Sequence, residues 1–219
     1  MSQKIILLIS ALLGLAVLTG ADMYDYDEDL NKEYLQLQIN ENRILAFSGK
    51  KPPVSVDLDV GEEVRSHEEE GYVGAVLTNR RFLAISSLSG EWLSEPLLLG
   101  EENIGDITVG EKVAMLVTER RVVGFTYRRD RFVKYQIPVG DLVIAKDAGE
   151  NYGVVVMSDR AAGLSSETGD FNEIIFDIDE TFRSLETATT FATIDTDLNI
   201  YSYRGSSGTW STRPKSDVQ

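Results

Sequence analysis

The chain has 219 residues, 36 acidic and 21 basic, with a formal net charge of −15, no cysteine and a single histidine, His67. These numbers exclude disulfide staples, thiolate metal sites, cysteine nucleophiles and a cysteine-borne lipid, and leave a histidine-based metal site or Ser-His-Asp triad only if His67 takes part. The acidity argues against nucleic acid as a partner, because affinity for the phosphate backbone comes from Lys and Arg, while 42% hydrophobic residues are enough for a packed core.

At the N-terminus an apolar run from Ile5 to Val17 follows Lys4, and Leu18-Thr19-Gly20-Ala21 supplies the small residues of a cleavage site. That layout predicts a secretory signal peptide over residues 1–21. Left uncleaved, Ile5 to Ala21 would reach the lower limit of a membrane span and be the one membrane contact expected. An acidic run from Asp22 to Glu28 follows, where a stop-transfer segment would carry basic residues. Residues 22–219 are expected to form one exported domain, periplasmic or extracellular.

Within that domain the chain repeats. Thr78-Asn79-Arg80-Arg81-Phe82 returns as Thr118-Glu119-Arg120-Arg121-Val122, and the frame extends to Asn40, Thr78, Thr118, Ser158 and Thr196, at spacings of 38, 40, 40 and 38. A second column holds Phe47, Ile85, Phe125, Leu164 and Tyr203; a third holds Val54, Trp92, Phe132, Phe171 and Trp210. Three ordered columns repeated five times make an array of five units, about 22–58, 59–98, 99–138, 139–177 and 178–219.

Each unit reads as strands. Leu35–Ile39, Val73–Leu77, Val113–Val117, Gly153–Met157 and Thr190–Ile194 are apolar or β-branched and precede the Thr column. Ile44–Phe47, Phe82–Ile85, Val122–Phe125 and Ile200–Tyr203 follow it across joints short enough for tight hairpins. Gly90, Gly169 and Gly208 predict a second turn, with positive φ, before the aromatic column. Ile104–Val109 and Leu142–Ala145 mark a further strand per unit. Four antiparallel strands in about forty residues is the blade of a propeller. The expected fold is therefore all-β, a five-bladed β-propeller of four-stranded antiparallel blades, closed by its last blade on its first. Either Met23–Lys32 or Trp210–Arg213 would complete the closing blade. The stretch Met157-Ser158-Asp159-Arg160…Glu167-Thr168-Gly169-Asp170-Phe171 resembles β-propeller repeats of the quinoprotein and WD-like kind, although the Gly-His and Trp-Asp dipeptides of WD repeats are absent. The aromatic column is expected to pack between blades, with sugar stacking by its two Trp as the alternative.

One polar column recurs. Arg43, Arg81, Arg121 and Arg160 fall on equivalent hairpins, with Asn199 in the fifth unit. A ring of guanidinium groups on one face would bind carboxylate or phosphate. The competing reading pairs each Arg with the acidic connectors Glu62-Glu63, Glu101-Glu102, Asp141 and Asp177 to Glu180. Asp195-Thr196-Asp197-Leu198-Asn199 and Asp25-Tyr26-Asp27-Glu28-Asp29 match the start of a calcium loop, but both lack its Gly and its closing Glu, so no metal and no cofactor is expected. His67 lies in a polar stretch read as a connector, and no catalytic residue stands out. These features point to an exported, non-catalytic binding module for a protein or glycan partner, monomeric. The alternative is a small carbohydrate-active enzyme with carboxylates at the propeller channel, and a third reading is an envelope-assembly factor.

Overall fold

The computed structural model describes residues 34–49, 51–101 and 106–217. The expected signal segment, the acidic loop 25–29 and the stretch Met23–Lys32 lie outside the described residues. The strands fall into five sheets. The first holds β1 (Leu35–Ile39), β2 (Arg43–Ser48) and β3 (Lys51–Asp57); the second holds β4 (Val64–Glu70), β5 (Val73–Thr78), β6 (Arg81–Ser86) and β7 (Trp92–Pro96). The third holds β8 (Asp106–Gly110), β9 (Val113–Val117), β10 (Arg121–Thr126) and β11 (Phe132–Gln136); the fourth holds β12 (Ala145–Ala148), β13 (Tyr152–Val156), β14 (Arg160–Ser165) and β15 (Phe171–Ile175). The fifth holds β16 (Phe182–Thr187), β17 (Phe191–Thr196), β18 (Asn199–Arg204) and β19 (Thr209–Pro214). Strands adjacent in the chain pair antiparallel throughout, so each repeat is one meander.

The repeat columns have direct structural meaning. The Thr/Ser column closes the hairpin between the second and third strands of a four-stranded repeat, and Arg81, Arg121, Arg160 and Asn199 are each the first residue of a third strand. Arg43 likewise opens β2, the equivalent strand of the first sheet, which is counted as a third strand below. The other two columns are cross-strand partners: Ile85 faces Trp92, Phe125 faces Phe132, Leu164 faces Phe171 and Tyr203 faces Trp210. Gly90, Gly169 and Gly208 turn the chain between them with φ of 67°, 72° and 64°, and Asp130 takes that role in the third repeat at φ 49°.

Four apolar cores separate the five sheets, one between each pair of chain neighbours. Alternation along the strands puts one set of side chains on the preceding sheet and the other on the following sheet. In the second, third and fourth sheets both sets are apolar and buried, so β5, β9, β10 and β13 read as unbroken apolar runs. Each core joins a large residue to a small one: Ile85 packs with Ala46, Phe125 with Ala84, Leu164 with Gly124 and Tyr203 with Gly163. A Cβ built on Gly163 would lie 2.5 Å from the Tyr203 ring, whose hydroxyl donates to the Gly163 carbonyl at 2.9 Å.

The ties around these cores change in kind along the chain. Between the second and third sheets Arg121 and Lys134 both bond Glu95, at 2.6 and 2.8 Å. Between the third and fourth, Lys112 pairs with Glu150, Lys146 with Asp106 and Arg128 with Glu167. Between the fourth and fifth, the donors are neutral: Tyr152 donates to the carbonyls of Ala188 and Phe191, Ser165 to that of Gly205, Trp210 to that of Asn172, and Thr187 to the Asp147 carboxylate.

Three expectations need correction. First, closure of the last sheet on the first is not what the described residues show. Closing five sheets requires a fifth core, whereas among the described residues the outward faces of the first and last sheets are half-buried to exposed and carry no buried apolar cluster. The outward positions of the first sheet carry exposed Gln36 and Gln38 where the second carries Gly74 and Val76. Those of the last carry Phe191, Thr193 and Asp195 where the second carries Val73, Ala75 and Leu77. Trp210 accordingly anchors the last sheet to the fourth. Second, the first sheet has three described strands instead of four, whereas the fifth is completed by β19, which contains Trp210–Arg213, one of the two alternatives expected. Third, Ser66 to Glu70 is not a connector: it lies in β4, with His67 opposite Val76.

Because Gly163 leaves no room for a methyl group, Gly163→Ala is expected to destabilise the protein by about 1–3 kcal/mol through overpacking against Tyr203. Urea denaturation followed by tryptophan fluorescence will show this as a lower midpoint at unchanged slope.

Candidate functional site

At one rim, the hairpins between second and third strands build a repeated polar lock. The buried Thr78 hydroxyl accepts from the N–H groups of Arg80 and Arg81, at 3.1 and 2.9 Å, and donates to Glu62 at 2.7 Å. Glu62 also takes the Asp59 N–H at 2.9 Å and a bidentate pair from Arg81, at 2.8 and 2.9 Å. The same parts recur in the next repeat, where Thr118, the Leu98 N–H and Arg121 converge on Glu101. In the last repeat Asn199 stands in for Arg, and Glu180 accepts from Thr196, Asn199, Tyr201 and the Asp177 N–H. The fourth repeat has Asp141, one methylene shorter. Arg160 there approaches Asp141 at 3.7 Å and makes its closer contacts with Asp159, at 2.9 and 3.0 Å.

The structure therefore places the four arginines at equivalent positions and turns Arg81 and Arg121 inward to buried carboxylates. Arg121 is 2% exposed and also bonds Glu95 and the Pro96 carbonyl of the preceding sheet. Arg81 likewise reaches the Asp57 carbonyl, at 2.9 Å. Arg43 differs: its side chain is 55% exposed and meets Asp57 at 3.3 Å. Burial on its own would push the Glu62, Glu101 and Glu180 carboxyls up. Their hydrogen bonds outweigh that effect, chiefly from Arg81, from Arg121 and from Thr196 with Tyr201, and hold all three below the ordinary range. Asp195, from the calcium-like stretch, is held by Lys215 at 2.7 Å, and the Thr196 hydroxyl accepts the Asn199 N–H within the hairpin.

The opposite rim is different. Here the turns from first to second strand converge, linked sheet to sheet by backbone bonds: Leu35 N–H to the Gly71 carbonyl, Tyr72 to Glu111, Lys112 to Glu150 and Glu150 to Thr189, all 2.8–2.9 Å. Glycine is required where they touch, since a Cβ on Gly110 would stand 2.1 Å from the Gly149 carbonyl oxygen. Between the turns lies a cleft of about 410 Å³, lined by Glu70, Glu111, Ala148 to Glu150 and Thr187 to Thr189, from four different sheets. Burial, then the neighbouring Glu111 and Asp147 charges, raise the Glu70 carboxyl above its ordinary value. Lys112 pairs with Glu150 at 2.5 Å, and Thr187 donates to Asp147 at 2.6 Å. Beside the cleft Tyr72 stacks between Tyr34 and Tyr127, with ring centroids 6.3 and 5.0 Å apart. Among the described residues no group of three or more His, Asp or Glu is placed to hold a metal ion.

No protein-family model matches the sequence, and no curated protein matches it. Its structural neighbours are β-propeller and RCC1-like proteins. Prp20p from Saccharomyces cerevisiae is similar at 10% identity and a TM-score of 0.43, over 78% of this chain and 55% of that one. The extracellular domain of the one-component system BT4673 from B. thetaiotaomicron gives 13% and 0.36, over 81% and 26%. PorZ of the type-IX secretion system of Porphyromonas gingivalis gives 14% and 0.39, over 85% and 27%. The chain thus spans about half of the first and a quarter of the others, and these likenesses assign no ligand.

Sequence reasoning singled out the arginine rim and missed the acidic one. Part of the signal was present in the spacing, since Glu111 and Glu150 hold one position of the repeat while Glu70 stands one residue before its counterpart, Gly71. These residues flank inner strands whose polar composition hid them.

Two outcomes follow from the polar locks. Arg121→Ala leaves Glu101 buried and unpaired and is expected to cost about 3–5 kcal/mol in chemical denaturation, against under about 0.5 for Arg43→Ala. Because Glu62, Glu101 and Glu180 titrate lower folded than unfolded, their stabilisation is complete above the ordinary carboxylate range and is lost as pH falls from that range through their lower folded values. Thermal melts from pH 6 down to pH 3 are expected to show Tm falling steadily, with a shallower fall for Thr118→Val, which removes one of the bonds holding Glu101 ionised.

Proposed function

We propose that the protein is an exported, non-catalytic binding module whose protein or glycan ligand seats in the cleft where the inner turns converge. The observation that carries this reading is the cleft itself: four sheets contribute to one hollow of about 410 Å³ with Glu70, Glu111 and Glu150 on its walls. A carboxyl held above its ordinary value by neighbouring charge is a local cost to folding, and a ligand presenting cationic or hydrogen-bond-donating groups relieves it. The adjacent tyrosine stack supplies flat apolar surface with polar edges, suited to peptide or sugar. Export rests on the apolar run Ile5 to Val17 and the small residues after it. The arginine column belongs to the scaffold at Arg81, Arg121 and Arg160, and Arg43 is the member most open to an anionic group.

A second reading has its own support. A raised carboxyl beside carboxyl groups from other repeats is the arrangement a general acid needs in glycoside hydrolysis. Glu70, with Glu111 and Asp147 around it, is such a group.

Glycan and peptide arrays probed with the wild-type protein and with Glu70→Lys/Glu111→Lys separate the two. A module of this kind gives reproducible array binding that the double variant loses at least tenfold, with Tm unchanged or higher. Binding that ignores the double variant would move the ligand site elsewhere. Turnover of an aryl glycoside, abolished by Glu70→Gln, would establish the enzymatic reading instead.

A further inference from the structure

The stacking of sheets follows one rule, and the two ends of the array leave it half satisfied. In every internal interface the fifth residue of a third strand is the large member and the fourth residue of the preceding third strand is its small seat. Ile85 sits at Ala46, Phe125 at Ala84, Leu164 at Gly124 and Tyr203 at Gly163. Continued to the ends, the same frame leaves one large residue without a seat and one seat without an occupant among the described residues. The large residue is Phe47. It stands opposite Gln36 in the register of β1 and β2, and since Gln36 is exposed and opposite residues share a face, Phe47 lies on the outward face of the first sheet. The seat is Ser202, opposite Thr193 on the outward face of the last sheet. It opens into a hollow of about 580 Å³ walled by Phe191, Tyr203, Arg204, Ser206 and Ser211.

We propose that a second copy of this chain docks head to tail on the last sheet, its Phe47 seated at Ser202 of the first copy. The rest of the two faces matches in the same frame. Gly74, the counterpart of Gln36, lies against Leu35 and Leu37, the counterparts of Phe191 and Thr193. An incoming Gln36 therefore falls beside Phe191, which is 47% exposed, and Thr193, and Gln38 falls next to Thr193 and Asp195. Two side-chain amides meet a hydroxyl and a carboxylate, so the polar half of each face finds hydrogen-bond partners while Leu45, Phe47, Phe191 and Ile200 form the apolar half. Arg43 gains as well. Arg81 and Arg121 both bond a main-chain carbonyl at the end of the preceding sheet's last strand, Asp57 and Pro96. The equivalent carbonyl for an incoming Arg43 is that of Pro214, which pairs with Asn199 as Pro96 pairs with Arg81. Copies joined in this way at both ends close a ring, and copies joined at one end extend a chain. The mixed polarity of the faces makes the association reversible.

The absence of native cysteine allows a direct test. Facing sheets stand about 10 Å apart, too far for a disulfide, so a short bismaleimide is the appropriate link. Phe47→Cys and Ser202→Cys variants, each confirmed folded by circular dichroism, are mixed and treated with it. The expected result is crosslinked dimer from the mixture well above that from either variant alone. Light scattering on unmodified protein is expected to give a mass that rises with concentration towards two chains or more. Ser202→Trp, which fills the seat, is expected to shift that rise to at least tenfold higher concentration without lowering Tm. A single-chain mass at every concentration overturns the proposal. So does crosslinking of the doubly substituted chain within itself, which would mean that the array closes on its own first sheet. Neither outcome bears on the cleft, whose test reads array binding.

Discussion

The whole structure depends on how closely one sheet can approach the next. A meander of four short strands has too little apolar surface to be stable alone, so each repeat exists by lending one face to its predecessor and the other to its successor. The approach is set where a large side chain enters a space kept clear by Ala or Gly, most tightly at Gly163 beneath Tyr203 and at Gly124 beneath Leu164 and Phe171. The inner turns obey the same constraint, with Gly71, Gly110 and Gly149 lying against the next turn. From this one requirement follow the unbroken apolar runs of the central sheets, the recurrence of small residues in the third strands, and the convergence of the turns that encloses the acidic cleft.

The two rims divide the chain's ionic chemistry. At the hairpin rim three buried carboxylates are each answered close by: Glu62 by Arg81, Glu101 by Arg121, Glu180 by Thr196, Tyr201 and Asn199. That rim is a scaffold, and its carboxylates are more acidic than free ones. At the turn rim Glu70 and Glu68 are less acidic than free carboxyls, through burial and then through Glu111 and Asp106 respectively. Opposite shifts at the two rims separate the charges that hold the fold from those left among like-charged neighbours.

The repeat was legible because interface positions are under a steric rule, and steric rules leave periodic residues. The Thr column, the two apolar columns and the Arg column each mark one structural position, and even the acids that answer the arginines were readable as neighbours of the turns. The inner strands were not. β4 reads Val-Arg-Ser-His-Glu-Glu-Glu, without apolar alternation, because it is held by the ladder to β5 and the tight turn at Gly71 rather than by burying side chains. Closure was less legible for a related reason. Counting repeats shows how many sheets there are, whereas the fate of the end faces is written in single substitutions such as Gln36, Gln38, Thr193 and Asp195, which become visible only once inward and outward positions are known.

The change from ionic to neutral ties along the array gives the molecule a direction. Arg128 and Glu167, or Lys146 and Asp106, are partly exposed pairs whose attraction is screened by salt. The fourth and fifth sheets are held instead by phenol, hydroxyl and indole groups bonded to main-chain carbonyls, which salt scarcely affects. As ionic strength rises, the middle of the array loosens while its C-terminal pair stays joined. Ionic strength thus becomes a variable that sets how firmly the middle sheets are joined.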